Sequence, residues 1–336
     1  MNSAPKILSV VVPTYNMEDY LCDCLDSVTR DDVPSSLDLI LVNDGSTDSS
    51  LEIIRKYQKK RPDIITIIDK HNGHYGSCIN AGLSIAKGKY FRPLDADDWF
   101  DTEALIKLIK KLEHTEADLI ITPRTEITEQ KNVFSLDIKE NQLHQIECLR
   151  NKNFKDVCRI LSMHSMTYKL DLLKKHHLCL LEGICYTDTE YFLIPLQYAE
   201  TFVFFNLELY QYRLGREGQS VDAIQFEKNR THISKVICSI LKKTRLPLNS
   251  IEYNYTLSLL IKYYGMVLFD IVSDEIDDEN MQILYRTIKK YQPHLWTMVN
   301  RHLYFFPFVW RITGLNFNFY SKFKKYIGKK SILHGK

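Results

Sequence analysis

The sequence predicts an α/β protein built on a mostly parallel sheet flanked by helices. Short β-branched stretches alternate with segments of helical periodicity over about the first 125 residues. Polar clusters follow three of the predicted strands, at 13–16, 43–48 and 95–98. Alternating strands and helices favour a parallel sheet, and such sheets bind ligands beyond the carboxyl ends of their strands. The ligand site is therefore expected along that edge.

The predicted elements follow one another in a regular order. Strands are expected at 7–15, at the start of 37–50, at 63–69, from 90 to the aspartates, and at 118–124, with helices at 18–30, 51–60, 77–88 and 102–113. Beyond about residue 125 the alternation weakens, and 203–221 is typical of one or two strands with a glycine-containing loop. From about residue 225 onward the pattern is helical, most clearly over 254–272. We therefore expect two domains, 1–225 and a helical region 226–336.

Composition excludes several classes of protein. The net charge of +2 in 336 residues gives no general field for nucleic acid. The eight cysteines show no zinc-binding spacing, which favours reduced thiols in the cytosol. No apolar run is long enough to cross a bilayer, and the short apolar run near the N-terminus is typical of a strand, not of a signal peptide. The expectation is a cytoplasmic protein.

The stretch "PLDADDW" places three carboxylates, Asp95, Asp97 and Asp98, within four positions. Like charges at this range repel unless a positive group lies among them. Magnesium and similar divalent cations take oxygen ligands from carboxylates. The pattern favours a bound cation, although a solvated acidic turn that caps the helix at 102 remains open.

Other uses of the aspartates fit the sequence less well. A calcium loop would need glycine and glutamate where Phe100 and Ile106 stand. A phosphatase nucleophile of the DxDxT kind would need threonine in place of Trp99. A dinucleotide-binding fold would show glycines after the first strand, and "PTYNMED" has none. The remaining use is a cation that neutralises a diphosphate.

Four motifs together carry a resemblance to a known family. The stretches "SVVVPTYN", "LILVNDGSTDSS", "NGHYGSCINAGLSIAKGKYF" and "PLDADDW", in this order and spacing, resemble glycosyltransferase family 2. The resemblance covers about residues 7–225. It implies a GT-A (Rossmann-like) fold, an inverting transfer of sugar from a nucleotide-sugar, most simply a UDP-sugar, and a divalent metal, Mn²⁺ or Mg²⁺.

The resemblance also implies where the donor binds. The family's first-strand motif and its base-contacting aspartate match residues at the strand ends, and its DxD motif matches the acidic stretch, with Asp97 the better metal ligand and Asp95 facing ribose or metal. Asp98 would support the turn or the following helix. The implied nucleotide-sugar-binding residues up to this point are Pro13, Thr14, Tyr15, Asn16, Asp44, Asn72, Gly73, Asp95, Ala96 and Asp97.

The reaction needs a base that removes the proton of the attacking hydroxyl. In "GICYTDTEYFLIPL", Asp188 resembles the family's catalytic aspartate at the start of a helix. The sequence departs from the family pattern because Thr187 stands where glutamate is common, which leaves Glu190 as a rival base. A plain helix cap at Asp188 is compatible with the catalytic role.

The segment 210–221 resembles a loop that follows the base motif in many bacterial members. Arg213 and Arg216 are suited to diphosphate oxygens, and Gln219 and Ser220 are candidates for contact with the acceptor or the leaving group. A basic surface turn is the alternative for all four.

The stretch 301–336 carries eight Lys and Arg, no acid and many aromatic residues. This composition favours peripheral contact with the inner face of the cell membrane, and a basic, partly buried helix pair is the alternative. The expected acceptor is a glycan or a lipid-linked saccharide in surface polysaccharide synthesis. Two other functions stay open: a nucleotidyltransferase, although its usual glycine-rich basic loop is missing, and a non-catalytic glycan or lipid adaptor.

Overall fold

The computed structural model describes residues 5–128, 131–134, 145–148, 162–216, 219, 225, 228–248, 250, 252–260 and 278–297. The chain divides into two compact units, 1–229 and 230–336. This division falls four residues beyond the boundary expected after residue 225. The stretch 301–336 and Ser220 lie outside the described residues.

The first unit is an α/β unit built on a large sheet. Its strands are β1 (Leu8–Thr14), β2 (Leu37–Asp44), β3 (Ile65–Lys70), β4 (Tyr90–Pro93), β5 (Trp99–Phe100), β6 (Leu119–Ile121), β7 (Arg124–Ile127), β8 (Lys131–Phe134), β9 (Glu147–Cys148), β10 (Met166–Lys169), β11 (Thr201–Phe204) and β12 (Tyr210–Arg213). Its helices are α1 (Leu21–Thr29), α2 (Ser50–Lys60), α3 (His74–Ile85), α4 (Thr102–Glu113), α5 (Leu170–Lys175) and α6 (Asp188–Leu193).

The described strands form two sheets. The larger has the order β3-β2-β1-β4-β10-β6-β11-β9, and its first four strands are parallel. Strand β10, which the sequence does not predict, lies antiparallel between β4 and β6. The smaller sheet has the order β5-β12-β7-β8. The predicted fold class is confirmed, and β10 and the smaller sheet are additions to it.

Burial on both faces of the sheet explains the apolar composition of its central strands. All eight residues of β2 are buried, as expected of a parallel strand covered on both faces. Helix α3 packs closely on β1 because Gly82 has no side chain: a Cβ there would lie 2.5 Å from Val11 Cγ2. The helix begins at His74, three residues before the predicted start at 77. Helix α4 has the predicted bounds, and the Asp101 side chain caps it by accepting a hydrogen bond from Ala104 N at 2.8 Å.

The second unit is helical in its described part. It contains α7 (Arg230–Lys243), α8 (Asp278–Tyr291) and helical segments at 252–260 and 293–297. An apolar core joins them, and it includes Ile237, Leu241, Leu260, Leu284 and Leu295. Of the helix expected at 254–272, only 254–260 lies in the described residues. No helix among the residues described here is long and apolar enough to span a membrane.

Candidate active site

A cleft of about 520 Å³ opens where the parallel strands end. Thr14 and Asp44 end β1 and β2, and Asp95 follows β4 by two residues. The predicted residues that line the cleft are Pro13, Thr14, Tyr15, Asp44, Asn72, Asp95, Ala96, Asp97, Asp188, Arg216 and Gln219. The lining does not include Asn16, Gly73 or Arg213, which support it instead.

Asp44 is buried where β2 ends at the cleft, and its charge is already balanced. Its Oδ1 atom lies 2.5 Å from Lys70 Nζ and accepts a hydrogen bond from Gly73 N at 3.0 Å. Lys70 also donates to Ser77 Oγ on α3 at 2.7 Å. Lys70 was not predicted from the sequence, although it lies at the end of β3, where the parallel register places it beside Asp44.

The loop after β1 is held by side-chain contacts and does not depend on a ligand. Asn16 has a left-handed backbone with φ of 52°. Its Oδ1 atom accepts a hydrogen bond from Thr47 N at 2.8 Å, and its own N–H donates to Ser46 Oγ at 3.1 Å. Asn16 therefore joins two loops at the rim, which leaves Tyr15, 46% exposed, facing the cleft.

Asp98 lies beneath the cleft and is held by the smaller sheet. Its Oδ2 atom accepts a hydrogen bond from Tyr210 Oη at 2.8 Å, and Oδ1 accepts from Arg213 N at 2.8 Å. The N–H of Asp95 donates to the same Tyr210 hydroxyl oxygen at 3.2 Å. Asp98 thus supports the acidic turn, as expected, whereas the cap of α4 is Asp101.

Asp97 faces a cation supplied by the chain itself. Arg216 Nε lies 2.6 Å from Asp97 Oδ2, and both side chains are mostly buried. Arg213 Nε donates to the Asp97 backbone oxygen at 3.0 Å, and its guanidinium pairs with Asp23 at 2.7 Å. Arg213 therefore fixes the acidic turn from behind, while Arg216 enters the cleft.

Gln219 closes the same loop. Its side chain accepts a hydrogen bond from Gly215 N at 3.0 Å and donates to the Arg213 backbone oxygen at 2.6 Å.

The acidic cluster is electrostatically short of positive charge. Burial and the neighbouring carboxylates of Asp98, Asp97 and Asp188 raise the pKa of Asp95 well above its ordinary value. Burial and Asp97 raise the pKa of Asp98 in the same way. A group whose charged form is penalised by like charges gains most from a bound cation.

His164 completes this cluster, and sequence reasoning missed it. One ligand atom from each of Asp95, Asp98 and His164 lies within 4.8 Å of the others. Burial, with the charges of Arg124 and Arg92, lowers the pKa of His164 to about 3, so the imidazole is neutral and able to bind a metal. The ring stacks on Tyr212 with centroids 4.3 Å apart.

Arg92 fixes the backbone at His164 from the core. Its side chain is fully buried, donates to Thr122 Oγ1 and Thr167 Oγ1 at 3.2 and 2.9 Å, and donates to the His164 backbone oxygen. Burial lowers its pKa to about 10, so it stays charged at neutral pH.

Asp188 begins α6 and lines the cleft. Burial raises its pKa to about 6, against the opposing effect of the Thr189 backbone N–H. The chain before it is tied to α3: Asn80 exchanges hydrogen bonds with the backbone of Leu180 at 2.8 and 2.9 Å. A Cβ on Gly76 would lie 1.9 Å from Leu181 O, so glycine permits this close approach.

The rival base, Glu190, does not line the cleft. It is fully buried, and its Oε2 atom accepts a hydrogen bond from Leu181 N at 2.7 Å. Its role is to hold the segment that carries Asp188.

The sequence profile described as "Glycosyl transferase family 2" matches residues 9–176, half of the chain. The chain therefore belongs to glycosyl transferase family 2.

One curated relative is the poly(ribitol-phosphate) beta-glucosyltransferase of Bacillus spizizenii. It is 36% identical over 116 residues, which cover 34% of this chain and 18% of that protein. The similarity thus spans about a fifth of the relative.

Solved structures confirm the GT-A fold. The structure of S. aureus TarS 1–349 in complex with UDP-GlcNAc aligns with a TM-score of 0.61 and 19% identity, covering 86% of this chain and 82% of that one. A mannosyltransferase from Pyrobaculum calidifontis in complex with GDP-Man and Mn²⁺ aligns with a TM-score of 0.52 and 14% identity, covering 90% and 87%.

Proposed function

We propose that this chain is an inverting glycosyltransferase that moves a sugar from a UDP-sugar to a hydroxyl of a glycan or lipid-linked acceptor in surface polysaccharide synthesis. The observation that carries the proposal is the placement of Asp188. It lines the same cleft as the strand-end residues and the acidic cluster, and its pKa of about 6 suits a base that is ionised at neutral pH.

In this proposal the nucleotide lies at the end of the cleft formed by Pro13, Thr14, Tyr15 and Asp44. The diphosphate faces the acidic cluster, with Arg216 placed to contact its oxygens. Asp188 accepts the proton of the acceptor hydroxyl as that oxygen attacks the anomeric carbon. Direct displacement from the side opposite the leaving diphosphate inverts the anomeric configuration.

The donor set fits a divalent cation. Two carboxylates and a neutral imidazole can converge on one point, and both carboxylates carry raised pKa values that a cation would relieve. Asp95, Asp98 and His164 would hold the metal, and Asp97 becomes a further ligand if Arg216 leaves it. The metal would neutralise charge on the departing diphosphate. The Mn²⁺ named with the Pyrobaculum mannosyltransferase is in keeping with this choice.

The names of similar proteins support our proposals for the sugar donor and for the class of acceptor. TarS has been crystallised with UDP-GlcNAc and with UDP, and the Bacillus relative is named for glucosyl transfer to poly(ribitol phosphate). We therefore expect a UDP-sugar donor and an acceptor from surface polymer synthesis. Contact of 301–336 with the inner face of the membrane remains part of the proposal, as does the cytoplasmic location.

The test is the variant Asp188→Asn in the full chain. Loss of the base is expected to slow transfer by about 10² to 10⁴-fold, while UDP affinity stays within about twofold because Asp188 is proposed to contact the acceptor and not the nucleotide. Product configuration is read by NMR. Asp171→Asn is the matched control, since Asp171 also lies in the first turn of a short helix but is exposed. Normal transfer by Asp188→Asn, or retained anomeric configuration, would refute the proposal.

A further inference from the structure

The second unit carries a concentrated basic surface in its described part. Helices α7 and α8 end in Lys242–Lys243 and Lys289–Lys290. Gln292, just beyond α8, donates to Leu241 O and Thr244 O at the end of α7, at 3.5 and 3.0 Å. The two helices therefore end at the same side of the unit. We call Lys242, Lys243, Arg245, Lys289 and Lys290, all exposed, the basic end.

Paired lysines at a helix end are common in this chain, so one such pair alone does not indicate a binding surface. Helices α2, α4 and α5 also end in two lysines. Each pair complements the partial negative charge of a helix C-terminus. The second unit differs because its fold brings two such ends together and adds Arg245 two residues beyond α7.

Few acidic residues lie near Lys242, Lys289 and Lys290 in the described part of the second unit. Lys242, Lys289 and Lys290 make no ion pair among the residues that the structure describes. Glu252 is the one carboxylate in the sequence from 230 to 260. Helix α8 begins at Asp278, about 20 Å from its basic end by helix rise. These three lysines therefore present positive charge on one side of the second unit that no described carboxylate neutralises.

Exposed apolar side chains flank the cations. Leu248 is 55% exposed and Tyr291 is 41% exposed, on the segments that directly follow α7 and end α8. Lys290 Nζ lies 5.1 Å from the Tyr291 ring centre, and Lys289 Nζ lies 5.7 Å from that of Trp296. Neither the helix dipole nor the packing of the second unit explains why a leucine and a tyrosine are exposed to solvent beside these lysines.

We propose that the basic end is a docking surface for an anionic lipid bilayer. Clustered Lys and Arg bind the negative surface of such a bilayer, and tyrosine and leucine enter its interfacial layer. The sequence from 301 to 336 adds eight cations and no acid. The surface would hold the chain at the membrane whether or not it transfers sugar, so this inference does not depend on the proposed reaction.

The test is co-sedimentation of the full chain with vesicles of phosphatidylglycerol and phosphatidylcholine at low salt, with pure phosphatidylcholine as the neutral arm. The variant is K242Q/K289Q/K290Q. A cation at an anionic surface contributes roughly a fivefold gain in partitioning, so losing three is expected to weaken binding about 100-fold. High salt should weaken binding by the wild type in the same direction.

Two controls carry the same change of charge. K59Q/K60Q/K110Q removes three exposed lysines from the ends of α2 and α4, and K324Q/K325Q/K329Q removes three from the C-terminal stretch. The first control should bind vesicles normally, and the second should leave a residual binding that still depends on Lys242, Lys289 and Lys290.

Where the triple variant is unstable by circular dichroism, Leu248→Ser provides an independent reading, with about a severalfold loss expected. The proposal is overturned by any of three results: no vesicle binding by the wild type, equal binding to neutral vesicles, or full binding by both the triple variant and Leu248→Ser. Lysine-dependent binding to soluble polyphosphate without vesicle binding would assign the surface to an anionic polymer and also overturn it.

Discussion

The two ends of the cleft differ in how their charges are satisfied. We call the end of the cleft formed by Pro13, Thr14, Tyr15 and Asp44, where we propose that the nucleotide binds, the nucleotide end. There the buried carboxylate of Asp44 already has Lys70 at 2.5 Å and a backbone N–H at 3.0 Å. At the acidic end, Asp98 accepts hydrogen bonds from a tyrosine hydroxyl and a peptide N–H, and the pKa values of both Asp95 and Asp98 are raised. The charge at the nucleotide end is therefore balanced as folded, whereas the acidic end would gain stability from a bound cation.

This difference suggests a division of roles. Under our proposal, the preformed nucleotide end would bind the base without reorganising, which would keep the cost of binding low. A bound metal would relieve the repulsion within the acidic cluster and would at the same time neutralise charge on the diphosphate. Variants at the two ends should therefore affect metal binding and nucleotide binding differently.

Removing the imidazole should damage the acidic end alone. His164→Ala is expected to weaken Mn²⁺ affinity by at least about tenfold, since a neutral ligand with fixed orientation is lost. Calorimetric titration with Mn²⁺ measures this, and metal-free UDP affinity should change little. His114→Ala, at an exposed histidine outside the cleft, is the control. Unchanged Mn²⁺ affinity in His164→Ala would remove His164 from the metal site.

Removing the lysine should damage the nucleotide end alone. Lys70→Met leaves Asp44 buried without its cation, which should lower the free energy of unfolding by about 1–3 kcal/mol. UDP affinity is expected to fall about tenfold as the Asp44 carboxylate loses its fixed position. Urea denaturation and calorimetry give the two numbers, with the exposed Lys56→Met as the control. A loss of Mn²⁺ affinity larger than the loss of UDP affinity would contradict the proposed separation of nucleotide binding from metal binding.

Replacing Asp188 should lower activity and raise the free energy of unfolding. Its pKa in the folded protein, about 6, exceeds the usual value of 3.8, so ionisation costs folding free energy. Asp188→Asn is therefore expected to stabilise the protein by up to about 3 kcal/mol at pH 8. The gain should shrink as pH falls through 6 and vanish below about pH 4, where Asp188 is protonated in both states. Denaturation of both proteins across this pH range tests the sign.

The same ionisation sets the pH dependence of transfer. The base must be deprotonated to act, so the rate should fall about tenfold per pH unit below pH 6 and be level above it. Because a bound cation near Asp188 would lower its pKa, saturating Mn²⁺ should shift this limb to lower pH. A rate that is independent of pH between 5 and 7 contradicts the assignment of Asp188.

The smallest effect is expected at Arg216. Its guanidinium lies on Asp97 and competes with a metal for that carboxylate. Arg216→Gln should tighten Mn²⁺ binding about fivefold without nucleotide and weaken UDP binding, because the arginine no longer reaches diphosphate. Arg55→Gln, which breaks the ion pair with Asp69, is the control. Weaker Mn²⁺ binding in Arg216→Gln would contradict this competition.

How much of the site was predictable depends on where each residue lies relative to the parallel strands. Thr14, Asp44 and Asp95 follow buried strands, and parallel strands end at one edge, so their convergence is readable from local pattern. Asp188 was predicted to be catalytic only through resemblance to the family, since nothing local separates a catalytic aspartate from a helix cap.

The residues that were missed owe their positions to long-range pairing. His164 reaches the aspartates because β10, two residues later, lies antiparallel beside β4. Tyr210 and Tyr212 reach them because β12 pairs with the two-residue strand β5, which directly follows the aspartates. A short strand with a distant partner leaves no periodic signal in the sequence. Lys70 is the exception, since the register of β3 beside β2 would have placed it next to Asp44.

The most direct test of the difference between the two ends is a calorimetric titration of the wild-type chain with UDP, with and without Mn²⁺, repeated on Asp95→Asn. We expect weak binding without metal, held by the nucleotide end, and binding at least tenfold tighter with Mn²⁺, with this gain largely lost in Asp95→Asn. Equal UDP affinity with and without Mn²⁺ in the wild type would show that the acidic end is not completed by a cation.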